Sequence, residues 1–109
     1  MASEVMKVKL VAAVSNSEVD LLTVASGHTY TILNMTLCET AGAAETFDLY
    51  VDDNDGGTDH YIYKTQALGA NETFEHTGRI VLEANDMLGF VTGSAADIDV
   101  VVSYLDQTL

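Results

Sequence analysis

Residues 68–91 read LGANETFEHTGRIVLEANDMLGFV. Three short apolar runs are broken there by two turn signals, Thr77-Gly78 and Glu83-Ala84-Asn85-Asp86. Each run is too short for a helix and alternates with a period of two, as antiparallel strands do. The stretch holds strand and turn chemistry and no grouping of side chains suited to a reaction.

The pattern extends in both directions. Downstream, Gly93 to Ala96 is a small-residue turn, and residues 97–105 (DIDVVVSYL) put Ile98, Val100, Val102 and Tyr104 on one face, with Asp106 to Leu109 as a short tail. Upstream, strands are expected over residues 60–67 (HYIYKTQA), 45–51 (ETFDLYV), 28–39 (HTYTILNMTLCE) and 18–24. In the run 28–39, the face Thr29, Thr31, Leu33, Met35 and Leu37 grows more apolar along its length and is expected to point inward. Residues 5–14 (VMKVKLVAAV) open with alternation and carry two of the four basic residues, which suits an edge strand, since Lys discourages sheet-to-sheet pairing. A helix over residues 11–22 is opposed by Ser15-Asn16-Ser17 at its centre. Eight or nine short strands with turns at this spacing predict an all-β, antiparallel β-sandwich, jelly-roll-like or Ig-like. The expected organisation is one domain over residues 1–109, with residues 1–14 as an N-terminal arm or edge strand.

Seventeen acidic residues against four basic ones give a formal net charge of −13. Such a chain repels nucleic acid and anionic membrane surfaces. No apolar run reaches the ~18 residues of a membrane-spanning helix, and no signal peptide is expected in residues 1–10. The lone cysteine, Cys38, lies in an apolar run and reads as a small buried hydrophobe.

Catalytic and metal chemistry is poorly represented. The loop Asp52, Asp53, Asn54, Asp55, Gly56, Gly57, Thr58, Asp59 holds a candidate cation site in Asp52, Asp53, Asp55 and Asp59. It departs from the calcium-loop pattern, with Gly56 at the third ligand position and no closing Glu, so a structural turn is the favoured reading. His28, His60 and His76 fall on three strands without metal-ligand spacing. No nucleophile turn or phosphate-cradling loop is present, and no enzyme activity, cofactor or metal is expected. Five tyrosines (Tyr30, Tyr50, Tyr61, Tyr63, Tyr104) could form a sugar-stacking platform, but there is no Trp and strand preference is the favoured account of them.

The order of motifs carries a resemblance. Leu22-Thr23-Val24-Ala25-Ser26-Gly27 is followed by Leu37-Cys38-Glu39-Thr40, a small-residue turn, an Asp/Gly hairpin, Leu68-Gly69-Ala70-Asn71-Glu72-Thr73 and Gly78-Arg79-Ile80-Val81-Leu82-Glu83-Ala84-Asn85-Asp86. Over residues 21–104 this resembles a group of small β-sandwich virion proteins of tailed bacteriophages. Ala25-Ser26 stands where that group usually has Pro-Ala, and Asn85 where it often has Gly. The resemblance implies a non-enzymatic virion structural protein, made in the host bacterial cytoplasm. Its leading form is a capsid decoration (cement) protein acting as a homo-oligomer, a trimer being the expected order, on the major capsid protein or other virion proteins. The alternatives are a tail, neck or fibre-adaptor component and, from another class, a carbohydrate-binding module. The expected interface is the N-terminal strand, with Val5, Met6, Val8, Leu10 and Val11 as contact residues.

Overall fold

A computed structural model describes residues 3–14, 16–54, 56–93 and 97–108. The described strands are β1 (Ser3–Val14), β2 (Val19–Thr23), β3 (His28–Glu39), β4 (Glu45–Asp52), β5 (Asp59–Leu68), β6 (Thr73–His76), β7 (Ile80–Leu82), β8 (Met87–Thr92) and β9 (Ile98–Thr108). Alternation and turn chemistry thus place nearly every strand within a residue or two of its expected bounds. The exception is the C-terminal end, where the expected tail Asp106–Thr108 continues β9 by pairing with both β1 and β3.

The strands form two antiparallel sheets. One runs β1-β9-β3-β6 with β7 also on β3; the other runs β2-β8-β4-β5. The pairs nest: β1 with β9, β2 with β8, β3 with β6 and β7, and β4 with β5. Nesting of this kind, folded over into two layers, is the jelly roll, and it decides between the two sandwich types expected. β6 and β7 share one strand position, β6 along Met35–Cys38 and β7 along Tyr30–Ile32.

A β-bulge explains that split. The register of β3 against β9 shifts between Ile32 and Asn34, so Leu33 is an extra residue that reverses the inside–outside order. Tyr30 and Ile32 are buried before it; Met35, Leu37 and Glu39 are buried after it. The expectation that Thr29 and Thr31 share the inward face with Met35 and Leu37 is therefore corrected, because strict alternation cannot register an inserted residue. Cys38 is likewise half-buried, on the face opposite Leu37, and is not a core residue.

The core fills the space between the layers. Phe47 meets Phe90 and Phe74 at centroid separations of 5.5 and 5.4 Å, and Phe74 meets Tyr63 at 4.9 Å. Leu21, Ile32, Met35, Leu37, Leu49, Leu82, Leu88 and Ile98 are fully buried around them. Each such side chain stabilises the fold by roughly 1.5–3 kcal/mol relative to exposure.

One ring is buried on the outside. Tyr50 points away from the core, as the alternation of residues 45–51 predicts, yet is only 2% exposed. It lies over Gly89, its partner across the β4–β8 ladder, and its hydroxyl donates to Glu18. A Cβ on Gly89 would fall 2.4 Å from the ring, so the absence of a side chain there is what lets the tyrosine lie flat. Gly89→Ala is therefore expected to lower stability by about 1–3 kcal/mol as an overpacking change. Chemical denaturation measures this; an unchanged midpoint would contradict the packing described.

Candidate functional site

Three regions hold the residues singled out from sequence: the β1 edge, the β4–β5 loop and the tyrosines. β1 stands at the edge of the five-stranded sheet, and its ladder bonds go to β9 alone. Residues 3–10 are exposed on both faces, with Met6 at 74%, Leu10 at 67%, Val8 at 55% and Val5 at 50%. The register sorts the five expected contact residues into two rows. Met6, Val8 and Leu10 oppose Leu105, Ser103 and Val101 on the outer face. Val5 and Val11 lie on the row of Lys7 and Lys9, and Val11 packs against the core.

Asp106 fixes this edge. It is 3% exposed and accepts from Lys7 Nζ at 2.7 Å and from His28 Nδ1 at 2.7 Å, joining β1, β9 and β3. Those hydrogen bonds, His28's first and then Lys7's, hold its carboxyl below the ordinary carboxylate range. The bond to Asp106 raises the Lys7 pKa in turn. Sequence reading misses Asp106 because it assigns the residue to a tail.

Glu39 is a second carboxylate that alternation does not reveal. It is fully buried and accepts backbone N–H groups from Ala41 at 3.0 Å, Gly42 at 2.8 Å, Ala43 at 3.1 Å and Asn71 at 3.1 Å. One side chain thereby pins the β3–β4 and β5–β6 loops together. Burial works to raise its pKa, but the donors of Asn71, Ala41, Gly42 and Ala43 outweigh it and the carboxyl is held low. The signal in the sequence is a Glu directly before Thr40-Ala41-Gly42-Ala43-Ala44, a small-residue loop whose amides need acceptors.

The acidic loop is built as a turn. Asp52 Oδ1 accepts from Gly56 N at 3.0 Å, the Asp53 carbonyl accepts from Gly57 N at 3.0 Å, and Asn54 takes the left-handed conformation at φ 60°. Asp55 lies outside the described residues. Among the described residues no three His, Cys, Asp or Glu side chains gather as a metal-binding group.

The tyrosines do not make a platform. Tyr61 is 48% exposed, with Lys64 Nζ 4.4 Å from its ring centroid. Tyr30 and Tyr104 pair on the inner face at 4.9 Å, and Tyr63 bonds His76 Nδ1 at 2.7 Å. The histidines stay apart in role: His28 serves Asp106, His76 serves Tyr63, and His60 is exposed.

No protein-family model and no curated protein matches this sequence. The fold does have solved counterparts. It is similar to a chain from the disulfide-linked pili of Bacillus endospore appendages, with TM-score 0.61 and 12% identity over 100% of this chain and 91% of that one. It is similar to a chain of the Helicobacter pylori bacteriophage KHP30 capsid, with TM-score 0.56 and 17% identity over 100% and 94%. A chain of the cyanophage Pam1 capsid gives TM-score 0.53 and 16% identity over 99% and 86%. At these identities the likeness is one of fold.

Both buried carboxylates predict the same pH response. A pKa lower in the folded than in the unfolded state gives stability that is complete above the unfolded carboxylate range, near 4, and lost as pH falls through the folded value. Melting temperature should fall on acidification below about pH 4, and Glu39→Gln should lower it at neutral pH while flattening the acid limb. An acid limb identical in the two proteins would contradict the role given to Glu39. Excess EDTA should leave the melting temperature unchanged, since the Gly56 amide already bonds Asp52 Oδ1 and the loop closes as a turn; a fall would restore the loop as a cation site.

Proposed function

We propose that this chain is a non-enzymatic structural protein of a tailed-phage virion, a capsid decoration protein that assembles as a homo-oligomer on the major capsid shell. The observation that carries the reading is β1. A sandwich with a filled core leaves, on one edge strand, apolar side chains 50–74% exposed among the described residues. Exposed apolar surface of this kind marks an association site. The likeness of fold to two phage capsid chains and to a pilus subunit, and the motif order over residues 21–104, support a coat role over a soluble one.

The mechanism is mass action. A protein bound across neighbouring capsomers stabilises the assembled shell over the separated subunits, by about 2.7 kcal/mol per site at a hundredfold excess over the dissociation constant. Lys7 suits this role, since its ammonium is anchored by Asp106 and holds the strand in register while the apolar rows remain open. The acidic surface elsewhere keeps the unbound protein soluble. A carbohydrate-binding role has one exposed ring, Tyr61, to build on.

Purified chain added to heads lacking it should raise their disassembly temperature, and a map of the intact particle should show it on the head. Val8→Asp with Leu10→Asp should abolish self-assembly of the chain without unfolding the domain, since both sites are exposed in the single chain. Density for the chain in the tail or neck would favour the tail component instead; absence from the particle would overturn the virion reading.

A further inference from the structure

The outer face of the five-stranded sheet is unlike the rest of the surface. Rows of side chains cross it from strand to strand. Met6 on β1 opposes Leu105 on β9, Leu105 opposes Thr31 on β3, and Thr31 opposes Val81 on β7. Val8 opposes Ser103, which opposes Asn34; Leu10 opposes Val101, which opposes Thr36. None of these side chains is ionisable. Met6, Val8, Leu10, Val81 and Val101 are all among the exposed large apolar side chains of the described residues, which otherwise include Val5 and Tyr61.

Charge lies at the margins of this face, where Glu4 takes a hydrogen bond from Gln107 and Glu75 one from Asn34, each at 3.3 Å. The other sheet's outer side differs. Asp48 there holds Lys64 Nζ at 3.2 Å and Thr65 N at 2.7 Å, and Glu18 caps Tyr50. A chain of net charge −13 therefore presents one face whose centre is uncharged and rich in apolar side chains, with Glu4, Glu75 and Asp99 around it.

We infer that this face, spanning β1, β9, β3 and β7, packs against the same face of a second copy about a two-fold axis. The inference rests on the self-assembling reading above and names the partner and the surface. Charge favours the occupant: copies of a chain of net charge −13 repel where acidic side chains meet and least where the uncharged rows meet, and a basic partner would choose the carboxylates of the other sheet instead. A two-fold contact uses the same patch twice, so an apolar centre meets an apolar centre and the charged margins stay wet. The surface also offers relief. Met6, Lys7, Val8, Leu33, Ser103 and Tyr104 line a shallow depression of about 340 Å³, where Ser103 is small between larger neighbours and a side chain from the facing copy can seat. Three strands of nine residues and the three residues of β7, at about 4.8 Å between strands and about 3.3 Å per residue, give a face of roughly 480 Å² per copy. Two such faces total near the ~1,000 Å² lower bound of specific interfaces, so micromolar association is the expected scale.

The arrangement is a dimer, in place of the trimer expected from the resemblance. It differs from strand addition at the free edge of β1 in a measurable way, because Val81 lies three strand spacings, ~14 Å, from β1 and takes no part in edge pairing.

Sedimentation of the intact chain at several concentrations tests this. The expected mass is twice 11.7 kDa, with dissociation falling as salt screens the repulsion. Val81→Asp and Val101→Asp should each weaken the dimer at least tenfold while Tyr61→Asp leaves it unchanged, with circular dichroism and melting confirming folded protein. A monomer throughout, a trimer, an association weakened by salt, or a dimer sensitive to Val8→Asp but not to Val81→Asp would each overturn the inference. A monomer that still binds heads would overturn this dimer and leave the coat role standing. A dimer that binds no particle would do the reverse.

Discussion

The pairing of β3 with β9 is the constraint on which the five-stranded sheet depends. These strands lie at its centre, and every other member attaches to one of them. The extra residue at Leu33 sets which side chains of β3 enter the core, and it falls where the neighbouring strand position breaks into β6 and β7. Removing it would turn either Tyr30 and Ile32 or Met35 and Leu37 toward solvent, because a one-residue slip exchanges the two faces of a strand. Charge is fitted around the same pairing. Asp106 from β9 binds His28 at the start of β3, and Glu39 at its end anchors the two adjoining loops.

The sequence is informative wherever period and turn chemistry act alone. Strand positions, the all-β class, the inward set Ile98, Val100, Val102 and Tyr104, and the opposed faces of residues 45–51 all follow from alternation. Asn71 and Asn85 take the left-handed conformation at φ 57° and 72°, as asparagine in a turn can. The misses share a physical cause. The bulge, the outward burial of Tyr50 over Gly89, and the two buried carboxylates depend on which strands become neighbours, and local pattern holds no record of that. Thr65, at φ 52° beside a register shift in the β4–β5 pairing, belongs to the same class.

The candidate interface was legible only in part. Lysine and alternation mark residues 5–14 as an edge, but the partition of Val5 and Val11 from Met6, Val8 and Leu10 needs the register with β9. Val81, Val101 and Leu105 are unremarkable as sequence and become one surface only when β9 and β7 lie on either side of β3, with β1 beyond β9. The two sheets thus divide the work: one carries its charge and a capped tyrosine outward, the other presents rows of uncharged side chains bordered by carboxylates.

Amide hydrogen exchange of the intact chain, compared between dilute and concentrated solution, addresses that division most directly. Association through the five-stranded sheet predicts slower exchange on concentration in residues 4–11, 80–82 and 99–107, with residues 59–67 unaffected. Protection confined to residues 59–67, or none at any concentration, would contradict it.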